Sequence, residues 1–510
     1  MTMCKTITLL LMSAFALYPV GVRGQSTFSD YQKKKAKQQE EYLQRKAAEH
    51  QGYIDVKRKD FEEYRRKKNA VFAKYLQQQW VIMPKEDGLP APKMPDPVTP
   101  ISVPKDETNP LPMNPVEIPK GDIKPVEIPI KETPLEIPLP DSQHQPTFEY
   151  MQVNLFGMSL DVAMTDKQKF VLKNLTESEI GKIWDKLSDE EYTPMFDNCA
   201  QYIQEMRLNG WATLNLCKAI GERLEGKGTN EAVLLQTYLM TQLGYDARLV
   251  RINNDRLSMI CPANVKLCEV SFLKMNGKQY YIWGESKGQI YTYKNNFDAA
   301  TRSIDFTGGT LMRLNEEQTV PRVYTSTWNT RASVNVSVSK CLMNYYRDMP
   351  LIGDWSFYAR QPLDRNVSQQ IMPILSSVID GKNSLDAANE LLHFVQTAFK
   401  YETDERQFGR EKTDFKEELF YYPACDCEDR AVLFSDLIYT LLGLDVVLLY
   451  YPNHLCVAVK FNEDINGDFV SVDGKKYIIC DPTYINASVG NCMPKYKTTK
   501  PTIYKIYTNQ

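Results

Sequence analysis

Histidine is scarce in this chain. Four occur in 510 residues, at His50, His144, His393 and His454, and none lies within 147–340. Chemistry that needs an imidazole base is therefore confined to very few positions. Net charge is small as well, because 61 Lys and Arg face 64 Asp and Glu and leave −3. A dedicated nucleic-acid binder normally carries a clear basic excess, so that class is excluded. Long apolar runs are missing. The one candidate, Ile7 to Val20, is shorter than the 18 or more residues a membrane span requires. Cysteine is absent between Cys4 and Cys199; the other ten all lie from Cys199 onward.

Residues 1–24 have the pattern of a secretory signal. Lys5 supplies the positive start, Ile7 to Val20 the apolar core, and Val22 and Gly24 the small positions before a cut at Gln25. No cysteine follows that core, which argues against a lipid anchor. The expected location is periplasmic or secreted, with no transmembrane segment after signal removal. An oxidising compartment permits disulfides, but spacing does not assign pairs.

Residues 26–82 are polar and helix-favouring, with 14 basic and 8 acidic residues between Ser26 and Trp80. Tyr31, Tyr42, Tyr53, Tyr64 and Tyr75 recur every 11 residues. That period, about 3.67 residues per turn, keeps the rings on one helical face. The stripe predicts self-association or a partner helix, with a membrane surface or a solvated single helix as alternatives. Residues 83–146 follow as a Pro-rich extended linker: 17 of the 29 prolines lie between Pro84 and Pro146. Proline fixes φ and biases its predecessor to extended geometry, so the segment predicts a semi-rigid spacer whose role is distance.

The globular composition begins near Pro146. Alternation in Ser333–Ser339 and Lys476–Cys480 predicts strands; Leu385–Phe399 and Ala431–Leu442 predict helices. An internal duplication runs through this part. Ala232–Val250 aligns without a gap on Ala431–Leu449 with eight identical positions, and Asn276–Glu285 matches Asp473–Pro482. Two related units result, 147–340 and 341–510.

Only the second unit carries a reactive set. Cys427 precedes an apolar helix, where the helix N-terminus is expected to lower its pKa and favour a thiolate. His454 starts a strand, and Asp481 ends a strand that would neighbour it. Nucleophile, base and orienting carboxylate would form a triad. Gly228, Arg256 or its neighbours, and Gly284 occupy the matching places in the first unit, so that copy is degenerate and is expected to be structural or to bind a substrate or partner. His393 lies in an apolar helix pattern and is expected to be a packed histidine. A thiolate-rich zinc site from Cys425, Cys427, His454, Cys456, Cys480 and Cys492 is the alternative, although Cys-x-Cys departs from the usual ligand spacing.

The string Cys-Glu-Asp-Arg-Ala (427–431), the His at a strand start, strand-Asp-Pro-Thr (481–483) and Tyr-x-x-Asp (401–404) together resemble the transglutaminase-like superfamily. The resemblance covers roughly Ser384–Tyr484. It implies an α+β chain of two papain-like units, the first degenerate, with Cys427, His454 and Asp481 catalytic. It also implies a protein or peptide substrate and no cofactor or metal. The Cys427 backbone N–H would be one oxyanion donor, and Gln407 is a weak candidate for the other. Asp426, Glu428, Asp429 and Arg430 would hold the loop. The resemblance covers both hydrolysis and amine transfer, with hydrolysis preferred because water is always present, and a non-catalytic binding scaffold is the alternative function.

Overall fold

A computed structural model describes residues 25–92, 100–105, 111–124, 126, 129, 149–315 and 317–506. The signal pattern at 1–24 and much of the Pro-rich stretch, His144 included, lie outside them. The described chain is mixed α and β. No helix among the described residues is long and apolar enough to cross a membrane. Contacts divide the chain into a unit before Tyr64 and a second unit that takes the described residues from Tyr64 onward.

The predicted rod is one helix, Gln25–Leu76, of 52 residues, about 78 Å at 1.5 Å per residue. Trp80 closes it by donating its Nε1–H to the Leu76 carbonyl at 3.0 Å. In the first unit Tyr42 and Tyr53 stay at least half exposed, and salt bridges such as Arg58–Glu62 at 2.8 Å hold the helix surface.

In the second unit the last three turns behave differently. Arg65, Asn69, Phe72, Ala73 and Leu76 are buried, a helical stripe that packs on the globular part. Tyr64 remains half exposed, so the buried face is not the tyrosine stripe alone. Arg65 donates to Tyr238 Oη and Thr193 Oγ1, each at 3.0 Å. Phe72 meets Trp184 edge-on at 5.3 Å. Gly181 permits this approach, because a Cβ there would lie 2.6 Å from the Ala73 carbonyl.

Asn69 is the polar pin. It donates to Gln242 Oε1 at 2.8 Å and accepts from Trp184 Nε1 at 2.9 Å. Asn69→Ala leaves both partners buried without it, so urea unfolding should show a loss of about 2–4 kcal/mol. An unchanged midpoint would show that the helix end contributes little to the fold.

The Pro-rich stretch departs from expectation. Its described parts, with the residues just before them, supply β1 (Val81–Met83), β2 (Lys85–Glu86) and β3 (Asp122–Lys124), and each joins a sheet edge. Isolated bridges add Ser102 to Ile485 and Glu117 to Phe469. These residues are edge strands rather than a free spacer. The reason is local: proline is tolerated at sheet edges, and the short Pro-free stretches between prolines keep the N–H groups that pairing needs.

A hairpin, β4 (Tyr150–Leu155) and β5 (Met158–Ala163), opens the globular part. Then come β6 (Arg248–Ile252), β7 (Arg256–Pro262), β8 (Phe272–Met275), β9 (Lys278–Trp283) and β10 (Ile290–Thr292). A second hairpin, β11 (Arg322–Thr325) and β12 (Ser333–Val336), precedes β13 (Asp445–Tyr451), β14 (His454–Lys460), β15 (Phe469–Val472), β16 (Lys475–Cys480) and β17 (Thr502–Lys505). The larger sheets have the orders β1-β10-β6-β7-β9-β8-β2 and β15-β16-β14-β13-β17-β3. Five consecutive strands of each follow one plan: β10-β6-β7-β9-β8 corresponds to β17-β13-β14-β16-β15, antiparallel throughout.

Register ties the two sheets residue by residue. Arg248 faces Ile260 and Val447 faces Ala458; Ile260 then faces Ile282 and Ala458 faces Ile479. Counting outward, Arg256 takes the place of His454, Trp283 that of Cys480, and Gly284 that of Asp481. The boundary between the halves is less tidy. The β11–β12 hairpin packs on second-half residues, with Tyr324 donating to the Phe420 carbonyl at 2.8 Å.

Candidate active site

Cys427 is the first residue of the helix Cys427–Leu442, which is buried as far as Ile438 and ends on Gly443 in the left-handed conformation. The loop before it is braced on both sides. Cys425 donates its N–H to the Lys400 carbonyl at 3.1 Å, and Gln407 donates its side-chain amide to the Ala424 carbonyl at 3.1 Å. Gln407 thus braces the loop through its side-chain amide. Arg430 is buried, donates to the carbonyls of Gln396 and Phe399, and lies over the Tyr401 ring.

His454 and Asp481 come together as the strand order predicts. β14 pairs antiparallel with β16, and His454 Nε2 lies 2.8 Å from Asp481 Oδ2. The other Asp481 oxygen accepts the backbone N–H groups of Thr483 and Tyr484, so the Asp-Pro-Thr turn fixes the carboxylate. Two partners escaped sequence reasoning. Tyr496 stacks parallel to His454 at 5.1 Å. Gln396 donates to the carbonyls of Asp481, Tyr484 and Ala487, tying the Asp481 turn to the helix Ser384–Ala398. A buried glutamine in the apolar run Leu391–Phe399 was the available signal. His393 in that helix is buried and stacks on Trp328 at 3.9 Å, as a packed histidine does.

The Cys427 helix packs against β14, which His454 starts, and the Cys427 thiol donates to Glu428 Oε2 at 3.4 Å. Its acidity runs opposite to the helix-dipole expectation. Burial, then the negative charge of Asp426, push the Cys427 thiol well above its ordinary pKa. The helix terminus favours a thiolate, but a fully buried sulfur beside carboxylates is disfavoured more strongly.

Those carboxylates form a cluster. Oxygens of Asp404, Glu411 and Glu428 lie within 4.8 Å of one another, as do those of Asp404, Asp426 and Asp429. Burial and then the Asp426 charge raise Asp404 to about 9 and Glu411 to about 8. Asp426 is 1% exposed and forms a capping box with Asp429, whose carboxylate accepts the Asp426 N–H at 3.1 Å. Lys412 is engaged elsewhere, by Asp414 and Glu418. Opposite ligands of one calcium ion stand roughly 4.6–5.2 Å apart, and hard divalent cations take oxygen donors. The donor set fits such an ion. Asp404 and Glu411 meet it only through the fold, although Tyr-x-x-Asp had marked Asp404.

The thiolate-rich alternative is only partly gathered, since Cys456 joins His454 and Asp481 within 4.8 Å. The ten cysteines from Cys199 onward are buried free thiols, with the Cys199 and Cys217 sulfurs 3.8 Å apart. The fold and site define a mixed α+β chain with a buried Cys, His and Asp set beside a carboxylate cluster. No protein-family model matches the chain, and neither a curated protein nor a solved structure matches it.

Proposed function

We propose that the chain is a transglutaminase-like cysteine enzyme that acts on amide bonds of proteins or peptides, exported from the cytoplasm by its first 24 residues. The observation that carries this is the His454–Asp481 contact of 2.8 Å on the strand against which the Cys427 helix packs. Asp481 takes Nε2, which leaves Nδ1 as the ring atom for proton transfer. Cys427 Sγ attacks the carbonyl carbon while its proton passes to His454. The tetrahedral oxyanion is met by the Cys427 N–H at the helix terminus. Collapse breaks the C–N bond, His454 returns the proton to the leaving amine, and a thioester remains. Water then gives the acid, or a second amine gives a new amide.

The carboxylate cluster belongs to the same proposal. A hard divalent cation such as Ca²⁺, held by Asp404, Glu411, Asp426, Glu428 and Asp429, would cancel the field that raises the Cys427 thiol. The buried oxygens of Asp404, Asp426 and Asp429, within 4.8 Å of one another, support that role.

A scaffold that only binds is the second reading, favoured by the complete burial of Cys427. Amide cleavage separates the two. Unfolded casein incubated with the protein in millimolar Ca²⁺ should yield new amines or, with a dansylated amine present, labelled protein. Cys427→Ala should lower either signal by about 10⁴-fold or more. Activity that survives this change would remove Cys427 from the mechanism, and no activity in the wild type would favour the scaffold.

A further inference from the structure

The first half lacks the reactive residues, yet it retains an opening where they would stand. A cleft of about 880 Å³ is lined by Gly228, Arg256 and Gly284. By strand register Arg256 and Gly284 are the counterparts of His454 and Asp481, and by sequence alignment Gly228 is that of Cys427. Two of the three places carry no side chain. At Gly228 a Cβ would meet nothing within 4 Å. Arg256 is exposed and donates to the Gly228 carbonyl at 3.3 Å.

What surrounds the opening indicates a ligand class. Lys218, Lys227 and Arg256 line it together with Glu222, Glu285 and Asp348, so neither sign dominates. The Glu285 carboxylate is kept ionised by the backbone N–H groups of Lys287 and Ser286. Trp283 occupies the Cys480 position and is half-buried, backed by Phe306 at 6.4 Å and Trp211 at 5.8 Å. A half-buried indole on a rigid aromatic support, ringed by both charges, suits a segment that offers apolar, cationic and anionic groups in turn. Polypeptide has that chemistry. A nucleic acid or other polyanion would meet three carboxylates in the same cleft.

We propose that this cleft is a non-catalytic binding site for an extended polypeptide of mixed charge, holding the chain whose amide is presented to Cys427. The choice of polypeptide rests in part on the function proposed above. Binding at the cleft would raise the occupancy of the second half by linking the two events within one molecule.

The test measures binding without turnover. Dye-labelled, unfolded casein is titrated with full-length protein and followed by fluorescence anisotropy. Wild type and Cys427→Ala should bind alike, whereas the exposed double change Lys218→Glu with Arg256→Glu should weaken binding at least tenfold. Trp283→Ala should weaken it too, and circular dichroism confirms that each variant is folded. If amide cleavage fails but this binding holds, only the enzyme proposal falls. Binding unchanged in the folded double variant, or no binding by the wild type, overturns the cleft proposal and leaves the enzyme proposal to its own assay. Binding lost in Cys427→Ala would place the polypeptide in the second half and also overturn it.

Discussion

Iodoacetamide should label Cys427 about a hundredfold more slowly in His454→Ala than in the wild type at pH 7 and millimolar Ca²⁺. Asp481→Asn should lie between them, because it leaves the imidazole in place but removes the charge that holds Nε2. Peptide mass spectrometry assigns the label to Cys427 among ten cysteines. The reasoning is electrostatic. Burial and Asp426 hold the thiol well above its usual range, so an isolated Cys427 would react slowly at neutral pH. In the proposed mechanism an ion pair with His454 would stabilise the thiolate, and a divalent cation on the neighbouring carboxylates would remove the opposing field. The wild type should therefore also slow in chelator. Equal labelling of wild type and His454→Ala in Ca²⁺ would mean that the two side chains do not share a proton.

In chelator the protein should lose thermal stability as pH rises from about 5 to 9. Asp404 titrates at about 9 in the fold, raised first by burial and then by the Asp426 charge. Glu411, raised for the same reasons, titrates at about 8. The unfolded groups titrate near 3.8 and 4.5. Across that interval the folded state binds more protons than the unfolded one, so stability falls with pH. It is fully present below the unfolded values and is lost as pH passes the folded ones. At about 2–4 °C per kcal/mol for a domain of 150–250 residues, a drop of about 5 °C or more should appear in a scan. Millimolar Ca²⁺ should restore it at high pH, where the carboxyls have released their protons. Asp426→Asn separates the causes: it should raise the melting temperature in chelator, by relieving repulsion, and weaken the response to Ca²⁺. A melting temperature indifferent to Ca²⁺ at pH 8 would rule out the cation.

Where sequence and structure part, burial and distance explain it. The Pro-rich segment has no packing pattern of its own, because an edge strand is defined by the sheet that receives it. Ile118, fully buried, looks from sequence like any residue in a degenerate repeat. The rod was legible as a helix, but not its docked end. Asn69 is an ordinary polar residue until Gln242 and Trp184 surround it. The acidity of Cys427 was misjudged because a helix terminus is visible in sequence, while the depth of a sulfur and the convergence of carboxylates on it are not.

The sequence by itself determined what depends on local order and period. It set the repeated helix, turn and strands, the place of Cys427 at a helix start, and the order in which His454 and Asp481 arrive on neighbouring strands. The tertiary structure alone decided what depends on distance between remote segments. Asp404 and Glu411 lie 22 and 15 residues before Asp426, yet belong to one cluster of carboxyl groups with it. Lys218, Arg256 and Trp283, spread over three elements, line a single cleft. Charge interactions fall with distance through space and strengthen when water is excluded, and neither quantity is written in the order of residues.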